Sequence, residues 1–144
     1  MRDAATLEAK YKRFINQICN TEIIYALKQE HGFAFLYANH FEDEEGEDAI
    51  LLCFWSNEIY ANLCKQAEWK NYQVQEIPLN TFLKNWCIGM KKDYNFAGIE
   101  CDPNLYCSEK DPIQLALDIF EELILQGKLE NFKEYYAIYK DFSA

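Results

Sequence analysis

The sequence predicts an α+β fold: a single, mostly antiparallel sheet with helices packed against it. Three observations lead there. Apolar residues recur at helical spacing in some segments and alternate, or run unbroken over strand length, in others. The two kinds of segment interleave in the order α-β-β-β-α-β-α-β-β-α-α, with no repeat and no linker between them. The 144 residues suit one hydrophobic core, so the whole chain, 1–144, reads as a single domain.

The first helix places Leu7, Tyr11, Phe14, Ile15 and Ile18 on one face and Glu8, Lys10, Lys12 and Arg13 on the other, with Asp3 as its cap. EIIYALKQ (22–29) and GFAFLYA (32–38) are strand-like and meet at Glu30-His31, a tight hairpin with Gly32 supplying any positive φ. AILLCFW (49–55) is almost wholly apolar, the signature of a strand covered on both faces in the middle of a sheet. Ser56 or Asn57 caps a second helix whose inward positions are Ile59, Tyr60, Leu63, Cys64 and Ala67. YQVQEIP (72–78) alternates and stops at Pro78. A third helix carries Phe82, Leu83, Trp86, Cys87 and Met90, and a second hairpin joins 96–101 to 105–109 around Asp102-Pro103-Asn104. Asp111, Pro112 and Gln114 form a capping box for a helix buried through Ile113, Ala116, Leu117, Phe120 and Ile124, ending at a C′ glycine, Gly127. A last helix over 129–141 aligns Leu129, Phe132, Tyr136 and Tyr139, with Tyr135 beside them.

Composition narrows function. Lys+Arg is 14 and Asp+Glu is 24, a formal net charge of −10, which argues against a nucleic-acid binder because phosphate neutralisation needs clustered cations. The first twenty residues are charged throughout, and no window approaches the roughly 18 apolar residues of a membrane span. The expected location is the cytoplasm, with no membrane partner. Six cysteines without a C-x-x-C pair read as reduced thiols, most of them buried. Cys101 and Cys107 flank the second hairpin's turn and are the one pair placed to meet.

The run from YALKQEHGFAFL through LCFWSNEIYANLCKQAEWKNYQVQEIPLNTFLKNW to DPIQLALDIFEEL carries a pattern: Trp55, Tyr60-Ala61, Trp69 and Tyr72, then Ile77-x-Leu79, Phe82-Leu83 and Pro112 before a leucine-rich helix. It resembles the bacterial Domain of Unknown Function 2750 family over about 11–125. That family often has Trp where this chain has Tyr25, and Pro where it has Phe54; the helix at about 128–144 extends past the family's usual end. The resemblance implies a small cytosolic bacterial protein. It brings no known activity and no catalytic residues.

Glu42, Asp43, Glu44, Glu45, Glu47 and Asp48 put six carboxylates in seven residues. Mutual repulsion drives them into solvent, where they suit a basic protein partner. Gly46 does not fall at the sixth position of a calcium loop from any start, so no metal site is expected. His31 and His40 lie in a turn and before the acidic run, and none of Ser56, Ser108 and Ser143 stands in a nucleophile-elbow context. Glycine-rich phosphate loops are absent. Carboxylate pairs such as Glu100 with Asp102, or Glu121 with Glu122, are expected of an acidic chain. Trp55, Trp69 and Trp86, with Tyr60 and Tyr72, form one aromatic anchor, and Trp69 is its member placed for exposure. Tyr135 and Tyr139 belong to an aromatic helix that docks on its own chain or makes a homodimer. These features predict a non-enzymatic protein-binding or regulatory module, of which immunity proteins are one form, with no cofactor. The alternatives are an enzyme using a Cys or carboxylate beside the Trp cluster, and a structural homo-oligomer.

Overall fold

Amphipathic spacing builds the first helix. In the computed structural model, which describes residues 4–143, α1 spans Ala4–Thr21 and buries Tyr11, Phe14, Ile15, Ile18 and Cys19. The expected cap Asp3 lies outside the described residues. The helix leaves unpaired carbonyls at its C-terminal end. Glu22 turns the chain away at φ 61°. Lys128 Nζ then donates to the carbonyls of Cys19 (2.9 Å) and Asn20 (3.2 Å) and lies 3.4 Å from the Glu22 carboxylate. A cation at this point also meets the negative end of the helix dipole.

The strands form two sheets, where the sequence predicts one. The first has β2 (Gly32–Phe33), β1 (Ile23–Gln29) and β5 (Gln73–Pro78) in that order, all antiparallel. The second has β3 (Phe35–Glu42), β4 (Asp48–Phe54), β6 (Phe96–Ile99) and β7 (Ser108–Lys110). The division occurs because the chain changes partner at Ala34. Its N–H donates to the Leu27 carbonyl (2.8 Å), while its own carbonyl accepts from Cys53 N–H (3.3 Å). Trp55 joins the sheets from the other side, exchanging both backbone hydrogen bonds with Tyr25 at 2.8 and 2.9 Å. The expected hairpin at Glu30-His31 forms, with Gly32 at φ 154°. The apolar β4 lies between β3 and β6, and its pairing with β6 is parallel; shielding on both faces is what a parallel pair requires.

Two helices and the aromatic anchor depart from expectation. Helix α2 (Glu58–Leu63) is six residues long, capped by the Asn57 side chain on Ile59 N–H at 2.8 Å. It ends before Ala67, which turns at φ 50°. So short a helix turns Ala61 and Cys64 inward and leaves Ile59, Tyr60 and Leu63 at 64%, 49% and 53% exposure. The third helix is continuous but uneven: α3 (Leu79–Thr81), a π-helical turn (Phe82–Trp86) and α4 (Cys87–Lys92). Trp86 there meets Phe33 and Phe54 edge-on. It therefore belongs to the main core, while Trp55 and Trp69 anchor a smaller one with Leu27, Cys53, Cys64 and Cys101. The aromatic anchor is split rather than single.

β6 and β7 pair as a hairpin through residues 100–107, whose tip is the expected Asp-Pro-Asn turn, closed by Leu105 N–H donating to the Asp102 carbonyl at 2.8 Å. Helix α5 (Pro112–Leu125) starts as expected, Asp111 Oδ2 accepting from Ile113 and Gln114 N–H at 2.9 and 3.0 Å. Gln114 does not complete the box; its amide donates to Asp118 instead. Ile113, Ala116 and Phe120 are buried as expected and are joined by Leu115, Ile119 and Leu123, while Ile124 is 49% exposed. Gly127, at φ 71°, closes the helix. Its N–H reaches the Ile124 carbonyl (3.0 Å) and Lys128 N–H reaches Leu123 (2.8 Å), the paired bonds of a Schellman end. A 3₁₀ turn (Leu129–Phe132) leads into α6 (Lys133–Ser143), which lays Tyr139 against Phe120 and donates the Tyr139 hydroxyl to the Leu83 carbonyl.

Removing the Lys128 cap should weaken the whole molecule. Lys128→Met is expected to cost about 1–2 kcal/mol, from lost charged hydrogen bonds and dipole pairing. An unchanged midpoint in urea unfolding would refute that role.

Candidate functional site

The chain leaves β4 at Trp55 and β6 at Glu100, side by side, and an open cleft of about 720 Å³ forms where they part. One wall is the outer face of α1, with Lys10, Lys12 and Arg13. The opposite wall is the start of α2, with Ser56, Asn57, Tyr60 and Leu63; the loop residues Glu100, Cys101, Asp102 and Pro103 complete it.

Glu100 is the unusual residue of this cleft. Its backbone is left-handed, at φ 56°, although it is not glycine. Its N–H still donates to the Phe54 carbonyl at 2.9 Å, so the bend comes directly after the last ladder bond. The carboxylate folds back onto Ser56, accepting from its backbone N–H at 2.8 Å and from its hydroxyl at 2.5 Å. Only 7% of the residue is exposed. Burial pushes its carboxyl above the ordinary range; the two Ser56 bonds and the more distant charges of Lys10 and Arg13 act the other way without cancelling it. Trp55 Nε1 donates to the Cys101 carbonyl (2.9 Å), and Asp102 Oδ1 accepts from Asn104 and Tyr106 N–H at 2.9 and 3.1 Å. The loop is thus tied to the core at Cys101 and folded on itself beyond.

The cations on the other wall have no such partners. Among the described residues, neither Lys10, Lys12 nor Arg13 makes a direct ion pair. Acids outnumber bases 24 to 14 in this chain, so carboxylates were plentiful. The cleft is therefore divided: cationic on α1, anionic on the 100–102 loop, with the exposed rings and methyls of Tyr60 and Leu63 between them and solvent.

The thiols are unsuited to nucleophilic work. All six are free, and five are buried. Burial lifts Cys64 to about 11 and Cys19 to about 12. Burial also raises Cys87 and Cys101; Cys107 is raised first by its hydrogen bond with Cys101. In Cys53 the bond with Cys101 is the strongest influence and acts downward, but burial together with the neighbouring Cys107 and Cys64 thiols leaves the group raised. Cys53 and Cys107 pack around Gly98, where a Cβ would come within 3.6 and 3.2 Å of their sulfurs. Cys101 and Cys107 are not joined, and no cluster of metal-binding side chains occurs among the described residues.

The residues singled out from sequence lie elsewhere. Glu42, Glu44, Glu45, Glu47 and Asp48 are exposed on the β3–β4 hairpin, and half-buried Asp43 pins it by accepting from Glu45 and Glu47 N–H at 2.9 and 3.0 Å. Trp69, expected at an exposed edge, is buried edge-on against Trp55. The 3₁₀ turn at Ala67–Trp69 swings it inward. Tyr139 is fully buried under its own chain and Tyr135 half-buried, so Tyr139 has no surface left for a homodimer. None of these nine residues lines the cleft. Lys10, Lys12 and Arg13 read in the sequence as an ordinary solvent face, Ser56 as a helix cap and Glu100 as one acid among many. The left-handed backbone that buries Glu100 leaves no residue signal, since glycine is absent from the position.

Two outcomes follow from these titrations. Native protein should leave its buried cysteines unmodified by a thiol-disulfide reagent until denaturant is added, with half-buried Cys107 the first to react; fast labelling of a second thiol would contradict the packing. Glu100→Gln keeps an acceptor for Ser56 N–H and removes the charge. A carboxyl raised above its unfolded value of 4.5 favours folding below that pH and loses the contribution as pH climbs through the folded value. Thermal unfolding should therefore show the wild type losing ground to Glu100→Gln as pH rises from 4.5. A pH-independent difference between the two would remove the burial effect.

The family described as "Protein of unknown function (DUF2750)" matches residues 11–119. No curated protein and no solved structure matches the chain. The matched segment holds Arg13, Ser56, Glu100 and Asp102 and stops within α5, so the Lys128 cap and α6 lie beyond it. With 109 of 144 residues matched (119 − 11 + 1), this chain belongs to the DUF2750 family of proteins of unknown function.

Proposed function

We propose that this protein works by binding rather than by catalysis, and that its ligand seat is the cleft between α1, α2 and the 100–103 loop. The carrying observation is the row of cations on α1 that makes no ion pair among the described residues, in a protein of net charge −10. A strongly acidic surface repels anions at a distance, while a recess lined by cations focuses field lines and holds an anionic group locally. The volume, about 720 Å³, is within the range of ligand clefts. Exposed Tyr60 and Leu63 add apolar surface at its edge. Glu100 supports the seat by holding Ser56 and the loop in place: both its oxygens already accept from Ser56. The acidic hairpin, from which the sequence suggests a basic partner, lies apart from this seat.

The aromatic sulfonate 8-anilinonaphthalene-1-sulfonate carries one anion on an apolar frame and reports binding by fluorescence. Wild-type protein should bind it at one site. The double variant K10E/R13E should bind it at least about tenfold more weakly, a difference of roughly 1.4 kcal/mol, with an unchanged circular dichroism spectrum. Equal affinity in a folded double variant would overturn the proposal.

A further inference from the structure

Resting on the cleft as the ligand seat, we infer that its occupant is a short peptide segment ending in a carboxylate, held by Lys10 and Arg13 at that end and by Glu100 through the peptide's own N–H donors. The sorting of charge across the cleft carries this. Among the described residues, cations line the α1 wall and the carboxylates of Glu100 and Asp102 line the loop. A simple anion pairing with α1 sits beside two carboxylates, and a simple cation on the loop faces three positive side chains. A ligand with an anion at one end and hydrogen-bond donors at the other satisfies both walls at once.

Acceptor capacity supports the donor end. A carboxylate offers about four lone-pair sites. Ser56 uses one on each oxygen of Glu100, at 2.8 and 2.5 Å, which leaves further sites on a group that lines the cleft. The short α2 supplies the third contact, because Tyr60 and Leu63 stay exposed at 49% and 53% and fit an apolar side chain. Neutralising Glu100 does not account for the cations. None is in ion-pair contact with it, and its carboxyl stays raised in their presence.

The chemistry is shared by a free peptide and by the C-terminal tail of a protein, and one set of probes separates them. Leucyl-glycyl-leucine, its N-acetylated form, its C-amidated form and 4-methylpentanoate are titrated into isotope-labelled wild-type protein, following the amide resonances of Lys10, Arg13, Ser56 and Glu100. The free tripeptide should shift these resonances, and amidation should weaken binding at least tenfold. Retained affinity after N-acetylation assigns the donors to backbone N–H groups and the source to a protein tail; a tenfold loss assigns them to the ammonium and the source to a free peptide. Glu100→Gln should weaken the tripeptide more than it weakens the naphthalene sulfonate. If 4-methylpentanoate binds as tightly as the tripeptide, or the amidated form as tightly as the acid, the peptide assignment falls while the cleft stands as an anion seat. If the tripeptide shifts nothing but the sulfonate still depends on Lys10 and Arg13, the same part falls alone. Should neither probe respond to K10E/R13E, both readings fall together.

Discussion

Trp55 is the joint on which the rest of the molecule is hung. Its backbone exchanges two hydrogen bonds with Tyr25, closing one sheet against the other. Its side chain is fully buried, and the indole N–H donates to the Cys101 carbonyl. One residue thus ties β1, the end of β4 and the loop after β6. An indole removes a large apolar surface from water and must also satisfy its N–H when buried. Both demands are met here by the 100–107 loop, which passes beneath the strand end and supplies the Cys101 carbonyl. That placement brings Ser56 and Glu100 together and opens the cleft beside them.

The loop pays for its position with strain and desolvation. Glu100 and Leu105 both hold left-handed backbone without being glycine, a conformation that costs roughly 1–2 kcal/mol for an L-residue. Glu100 also carries a carboxylate into a site that resists charge. Two Ser56 bonds offset part of this, and the loop's own Asp102 turn offsets more. Strain of this kind persists only where surrounding contacts over-determine it, and it concentrates at functional sites. The acidic hairpin shows the opposite economy: its carboxylates lie in water, and Asp43 satisfies the turn locally.

The opposite wall is held just as firmly, by contacts distant in sequence. Tyr11 donates to Asp118 at 2.5 Å, and Ser108 Oγ donates to the Leu7 carbonyl at 3.1 Å. Lys110 lies over the Tyr11 ring at 4.2 Å and reaches Glu8 at 3.6 Å. Lys128 closes the far end. Helix α1 is pinned along its length, so Lys10 and Arg13 are presented from a rigid scaffold. The last of these pins comes from beyond the family match, which makes the C-terminal segment a brace for α1 as well as a cover for the core.

Local chemistry was readable from residues alone. A strand-like run marked β1, period-two alternation marked β5, an unbroken apolar run marked β4 as central, and Asp111-Pro112 with Gly127 marked both ends of α5, because each signal acts within a few residues of its own position. The change of partner at Ala34 was not readable, since a continuous strand looks the same whether it stays in one sheet or passes to a second. Helix α2 misled for a related reason: apolar spacing at Ile59, Tyr60 and Leu63 promises a buried stripe, but the six residues of the helix bury only Ala61. The cleft was hidden most completely. Its cations and its buried acid lie 87 or more residues apart (100 − 13) and look ordinary in isolation; charge separation across a recess is a property of distances in space, and those exist only after Trp55 has drawn the strand end and the loop together.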